Sequence, residues 1–172
     1  VDDLLFRRLK VDGQRIASPL TPNNPYYDEN LQPIPHSPDS TRMLLAKAGW
    51  EDSDGDGVLD KTINGELTPL RFTLLHRPNG KLEAGLCREI SNDLKAFGLD
   101  CQVDGSGFKI SQILGLQYDA AVIPLTVPSI PYPFYQVWSS TAQVNFTGFA
   151  NEEADQMREA LRKEGDIDKA FK

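Results

Sequence analysis

Between residues 70 and 125 the spacing of apolar residues alternates between two periods, and that alternation leaves few folds open. LRFTLLHR (70–77) is a compact apolar run of strand length that stops at the turn sequence Arg77-Pro78-Asn79-Gly80. From 81 to 97, Leu82, Leu86, Ile90 and Leu94 recur at fours and Gly98 follows, which predicts a helix packed along one face. LDCQVD (99–104) returns to alternation, Ile110, Ile113 and Leu114 share one helical side of 107–116, and YDAAVIPL (118–125) reads as a third strand. Strands joined by helical crossovers pair in parallel. The expectation is therefore an α/β fold, a small and mainly parallel sheet flanked by helices.

The flanks read differently. Residues 12–38 hold six of the 12 prolines, at 19, 22, 25, 33, 35 and 38, too many for a helix interior or a central strand, so this stretch is expected to be an extended strap. Ser37-Pro38-Asp39 supplies an N-cap, a first-turn proline and an early carboxylate, and Gly49 a stop, which predicts a helix over 38–48 with Leu44, Leu45 and Ala48 on its buried side. After the α/β core (39–125), a second Pro-rich stretch, VPSIPYPFYQVW, leads to a helix over about 152–163 with Ala154, Met157 and Leu161 inward. The 172 residues are expected to form one domain. The chain starts at Val1 inside an amphipathic pattern (Leu4, Leu5 and Leu9) and stops inside another, DIDKAFK, so it is expected to be a piece of a longer protein.

Composition narrows the partners. A net charge of −7 with no offsetting Lys/Arg cluster repels phosphate backbones, which argues against nucleic acid. No apolar run reaches the roughly 20 residues that span a bilayer. Cys87 and Cys101 lack C-x-x-C spacing, so neither a zinc site nor a thioredoxin-type motif is indicated, and a bridge and two reduced thiols both remain open.

The sharpest local pattern is Asp52-Ser53-Asp54-Gly55-Asp56-Gly57-Val58-Leu59-Asp60, which fits D-x-D-x-D-G with a fourth Asp at loop position nine. Carboxylates on alternate residues of a tight loop converge on one hard cation, so Asp52, Asp54, Asp56 and Asp60 are candidate calcium ligands. Position twelve is Ile63 where an EF-hand places a bidentate Glu, and Glu66 comes three residues late, so any calcium is expected to bind weakly and structurally. The alternative is an acidic turn that stays solvated. No G-x-S-x-G, no cysteine in a catalytic context and no phosphate loop is present, and His36 and His76 lack a nucleophile beside them. The chain is read as non-enzymatic, with no cofactor beyond calcium.

Ligands of open α/β sheets bind outside the carboxyl ends of the strands, where the strand order reverses. If strand 70–77 lies between two parallel neighbours, that point carries Leu75, His76 and Arg77 on one strand end and Leu125, Thr126 and Val127 on another, followed by Ser129, Tyr132, Tyr135 and Trp138. Aromatic faces with a few polar groups suit a small-molecule cleft. The candidate ligand-binding residues are His76, Arg77, Thr126, Ser129, Tyr132 and Tyr135. Two plain readings stand beside this one: the aromatics cover the core, and Arg77 pairs with a carboxylate such as Glu83.

The run LLAKAGWEDSDGDGVLDK, then NGELTPLRFTLLHRPNG, an amphipathic helix ending KAFGLD, YDAAVIPL, a proline loop, VWSS and GFANEEAD resembles extracellular solute-binding protein family 5. These are the oligopeptide, dipeptide and nickel receptors of bacterial ABC importers. The resemblance implies one lobe of a two-lobed receptor of the type II periplasmic-binding-protein kind, working at the periplasmic or extracytoplasmic face. It implies capture of a peptide or other small molecule for delivery to a membrane permease. In peptide-binding members the segment after the third strand reads Gly-Trp and then an acid that receives the peptide amino group. Here Pro124-Leu125-Thr126-Val127-Pro128-Ser129 holds no acid, which implies a departure from ordinary peptide specificity. A rival from another class is a secreted, calcium-stabilised interaction module, which rests on the acidic loop alone.

Overall fold

The computed structural model describes residues 14–24, 27–126 and 137–164. The helical patterns expected at the two ends, and Ser129, Tyr132 and Tyr135, lie outside the described residues. What is described falls into two compact units. The first takes in Gln14 and Arg15, Ile34–Phe108 and Tyr118–Pro124, and the second Ile16–Pro33, Lys109–Gln117 and the chain from Leu125.

The first unit opens with α1 (Pro38–Lys47), capped as expected by Ser37, whose hydroxyl accepts from the Ser40 N–H at 3.2 Å. The hairpin β1 (Asp60–Ile63) and β2 (Glu66–Pro69) follows, then β3 (Arg71–Leu75), α2 (Lys81–Lys95), β4 (Asp100–Asp104) and β5 (Ala120–Ala121). The hairpin is an element the sequence reading lacked. Its two-residue turn is Asn64-Gly65, both at positive φ (54° and 87°), the backbone that matches strand twist. The other three strands form a parallel sheet in the order β4-β3-β5, with Phe72 opposite Cys101, Leu74 opposite Val103 and Leu75 opposite Ala121. The expected parallel α/β core is thus present, with β3 central.

α2 covers this sheet. Cys87 and Cys101 are both free thiols, fully buried with Leu74 and flanked by Phe72, Ile90, Leu94, Val103, Ala120 and Val122. Burial pushes the Cys87 thiol up to about 11. The Ser91 hydroxyl donates to the Cys101 carbonyl at 2.6 Å, a buried bond that fixes helix against strand. The helix turns Glu83, Cys87 and Ser91 most deeply inward, whereas Leu82, at the head of the expected leucine stripe, is exposed. Small side chains at 87 and 91 let the helix approach the sheet closely.

α1 departs further from expectation. Leu44 and Ala48 are exposed, Leu45 is half-buried, and no residue of the helix is buried. What holds α1 is polar: Arg42 lies over the Phe97 ring at 5.2 Å, and the Lys61 ammonium donates to the Ala48 carbonyl at 2.7 Å.

The second unit holds α3 (Ile110–Leu114) and α4 (Glu152–Lys163). Ile113 of α3 is buried as expected, but Ile110 and Leu114 are exposed, because a five-residue helix buries a single position of its stripe. α4 is capped by Asn151, whose side-chain oxygen accepts from Ala154 N–H at 2.9 Å. Its Asp155 accepts from the Ser140 N–H and hydroxyl, which hold that carboxyl below its usual range and tie α4 to the preceding loop. Ala154 is half-buried, and Met157 is exposed rather than inward.

Candidate functional site

With β3 between its two parallel neighbours, the strand order reverses at its carboxyl end, where a ligand cleft is expected. His76 follows directly and extends the ladder by one bond, its N–H donating to the Asp104 carbonyl at 3.2 Å. The imidazole Nδ1 lies 2.8 Å from the Arg77 carbonyl oxygen. Arg77 itself turns to α2. Its Nε donates to Glu83 Oε1 at 3.0 Å and a terminal nitrogen donates to the same oxygen, so the pairing with Glu83 weighed from sequence is the one formed. That bond holds the Glu83 carboxyl below the usual carboxylate range.

Asp104, Gly105 and Glu83 complete this end of the sheet, and none was among the expected site residues. Asp104 Oδ1 gathers three donors, the Ser106 N–H and hydroxyl at 2.7 Å each and the Gly107 N–H at 3.0 Å. Ser106 chiefly, with the two backbone donors, holds this carboxyl below its ordinary range. The sequence signal was Asp-Gly-Ser-Gly directly after a strand, a turn in which an aspartate accepts from the residues that follow it. A cavity of about 530 Å³ at the head of α2 is lined by Pro78, Asn79, Gly80, Lys81, Ala84 and Arg88. Thr126 belongs to the second unit. In that unit Trp138 packs edge-to-face on Phe149 with ring centroids 6.3 Å apart, which places it in an aromatic pair.

The acidic loop lies at the start of the hairpin. Carboxylate oxygens of Asp52, Asp54 and Asp60 come within 4.8 Å of one another, and Asp56 lies outside this group. The loop also caps itself. Asp52 accepts from the N–H of Gly55 at 2.8 Å and of Gly57 at 3.1 Å, Asp54 from Asp56 N–H at 3.2 Å, and Asp56 from Val58 N–H at 2.7 Å. Asp60, buried at the head of β1, accepts from the Ser53 N–H and hydroxyl at 3.0 and 2.5 Å. Ile63, at the twelfth loop position, is the last residue of β1 and pairs with Glu66 across the hairpin turn.

A parallel α/β core with polar groups gathered at its strand-order reversal is the arrangement at which open α/β sheets receive ligands. Residues 3–148 match the family model described as bacterial extracellular solute-binding proteins, family 5 Middle, and the chain belongs to this family. Among characterised relatives, it is 26% identical to the oligopeptide-binding protein AppA of Bacillus subtilis (strain 168) over 147 residues, 81% of this chain and 26% of that protein. It is 31% identical to the nickel-binding periplasmic protein of Escherichia coli (strain K12) over 93 residues, 54% of this chain and 17% of that protein. The chain therefore spans less than a third of either relative.

Solved structures agree on the fold. That of AppA from B. subtilis in complex with a nonapeptide superposes with a TM-score of 0.82 at 23% identity, covering 99% of this chain and 34% of that one. NikA from Brucella suis in complex with Fe(III)-EDTA gives 0.76 at 19% identity, covering 99% and 35%. These relatives are solute-binding proteins and not enzymes, as expected from the missing catalytic motifs.

Proposed function

We propose that this chain forms part of the substrate-binding component of a bacterial ABC importer and contributes one wall of its solute cleft. The solute, a peptide or another small molecule, meets the carboxyl end of β3, and closure of two lobes over it produces the form the membrane permease accepts. One observation carries this reading: the order β4-β3-β5 sets His76 at the strand-order reversal of a sheet from a solute-binding family. The relatives' cargoes support the solute class, since one was solved with a nonapeptide and another binds nickel. Family membership supports action at the periplasmic or extracytoplasmic face of a bacterial cell. The sequence-based assignment of Thr126, Ser129, Tyr132 and Tyr135 as ligand-binding residues is kept as part of this proposal. Asp52, Asp54 and Asp60 would hold calcium in a structural role, pinning the connection between α1 and the hairpin.

The test is mass spectrometry of small molecules that co-purify with the full-length receptor, followed by calorimetry with the molecule found. Saturable binding weakened by His76→Ala, with the unfolding midpoint unchanged, is the expected result. Full affinity in that variant would move the solute to another face.

A further inference from the structure

His76 is held in one orientation from two sides. A carbonyl oxygen only accepts, so the 2.8 Å contact to Arg77 places the proton on Nδ1, and the neutral ring then carries its lone pair on Nε2. On the other side lies Gly105. A Cβ at that position would stand 2.9 Å from Nε2 and 3.0 Å from Nδ1, inside van der Waals contact, with Cε1 nearer still. The backbone of Gly105 is not left-handed, unlike that of Gly98 or Gly65. Its missing side chain serves the imidazole and not the chain conformation.

Asp104 Oδ1 is filled by Ser106 and Gly107, while Oδ2 accepts no hydrogen bond among the described residues. Arg77, which an acidic solute would need, is engaged by Glu83. Lys81 and Arg88 are exposed on the side of α2 away from Glu83, by the helical repeat of 3.6 residues. The carboxyl ends of β3 and β4 thus offer two acceptors, His76 Nε2 and the Asp104 carboxylate, while the cations Lys81 and Arg88 line the cavity at the head of α2.

We propose that the lone pair of His76 Nε2, aimed by the Arg77 carbonyl and Gly105, and the free oxygen of Asp104 together receive a cationic N–H donor, an ammonium or guanidinium group, of the bound solute. This rests on the cleft reading above and adds the charge class of what enters it. Gly105 is a positioning residue in this scheme, since it touches the imidazole and not the solute.

The experiment uses the full-length receptor, selectively ¹⁵N-labelled, with N-acetylated trilysine and N-acetylated triglutamate as probes of one backbone and opposite side-chain charge, the acetyl group removing the α-ammonium that either peptide would otherwise offer. Before any probe is added, the ring nitrogens of neutral His76 report the tautomer. A proton on Nδ1 is expected, and a proton on Nε2 overturns the acceptor assignment. On titration, trilysine should shift His76 Nε2 and the amides of 104–107, and triglutamate should not. His76→Ala and Asp104→Asn should each weaken the trilysine response roughly ten- to hundredfold, the scale of one charge-assisted hydrogen bond. His76→Gln, which keeps an acceptor, should restore part of it. Gly105→Ala should disturb the tautomer signal while the unfolding midpoint stays put. Shifts of the same residues by triglutamate would overturn the charge class and leave the cleft standing. Silence from both probes at 76 and 104–107 would overturn the cleft assignment itself.

Discussion

Gly98 is where the α/β core is joined to the acidic-loop hairpin, and replacing it with alanine should cost more than its backbone conformation alone implies. It ends α2 at φ +78°, and its carbonyl accepts the Leu59 N–H at 2.7 Å. An L-residue in this left-handed region costs about 1–2 kcal/mol. A Cβ there would also meet Leu59 Cγ at 2.9 Å and Cδ2 at 3.3 Å, so Leu59 must move, which adds about 1–2 kcal/mol as overpacking. The sum, about 2–4 kcal/mol, should lower the thermal midpoint by roughly 5–12 °C for a chain of this size. Gly55 is the control, since it has nearly the same φ, +79°, with nothing within 4 Å of its would-be Cβ. Gly55→Ala should show the conformational cost alone, roughly 2–6 °C. Circular dichroism melts of Gly98→Ala, Leu59→Ala and the double variant complete the cycle, and truncating Leu59 should shrink the Gly98→Ala effect to that of Gly55→Ala. Equal midpoint shifts for the two glycine variants would refute the contact with Leu59, and no shift in either would refute the strain argument as well.

Ser91→Ala leaves the buried Cys101 carbonyl without its 2.6 Å donor and should cost about 1–2 kcal/mol, read as a lower urea midpoint at unchanged slope. Acid should destabilise the fold in a defined window. Glu159, held by Arg162 at about 2 against an ordinary 4.5, and Asp100, Asp104 and Asp155, also lowered, bind protons more readily unfolded. Their contribution is therefore complete above about pH 4.5 and lost as pH falls toward 2, so melting points should be flat from about pH 7 to 5 and then drop, less steeply in Glu159→Gln. If calcium binds the loop with a dissociation constant near 10⁻⁴ M, about 10 mM should stabilise the chain by about 2.7 kcal/mol, and Asp54→Ala should abolish the rise. Saturation at micromolar calcium, or no rise at all, would contradict that assignment. In the full-length receptor His76→Ala and Tyr132→Ala should weaken solute binding more than Arg77→Ala does, because Arg77 is held by Glu83; a larger loss from Arg77→Ala would reverse the roles given to the two neighbours.

The parallel core was legible because two amphipathic crossovers admit little besides parallel pairing, and β3 lies between β4 and β5 as the switch-point argument requires. The hairpin was missed although Asn64-Gly65 is a strong turn signal, because the acidic pattern assigned Ile63 the place of a failed metal ligand. That residue is the end of a strand, and strand pairing fixes its backbone irrespective of any ion. Burial was harder to read than periodicity. Met43 and Leu44 lie along a well-capped helix and are exposed, because an apolar stripe states what a helix can cover and not whether a surface lies opposite. The same limit applies at the site. A strand-end rule places His76 at the strand-order reversal, since it needs only position along the chain, whereas sequence left Arg77 with two roles, a cleft residue or a partner of Glu83 six residues on. The choice for Arg77 is made by the carboxylate that α2 brings to it, and the orientation of His76 by the space Gly105 leaves. Both become visible only once helix and strand are packed.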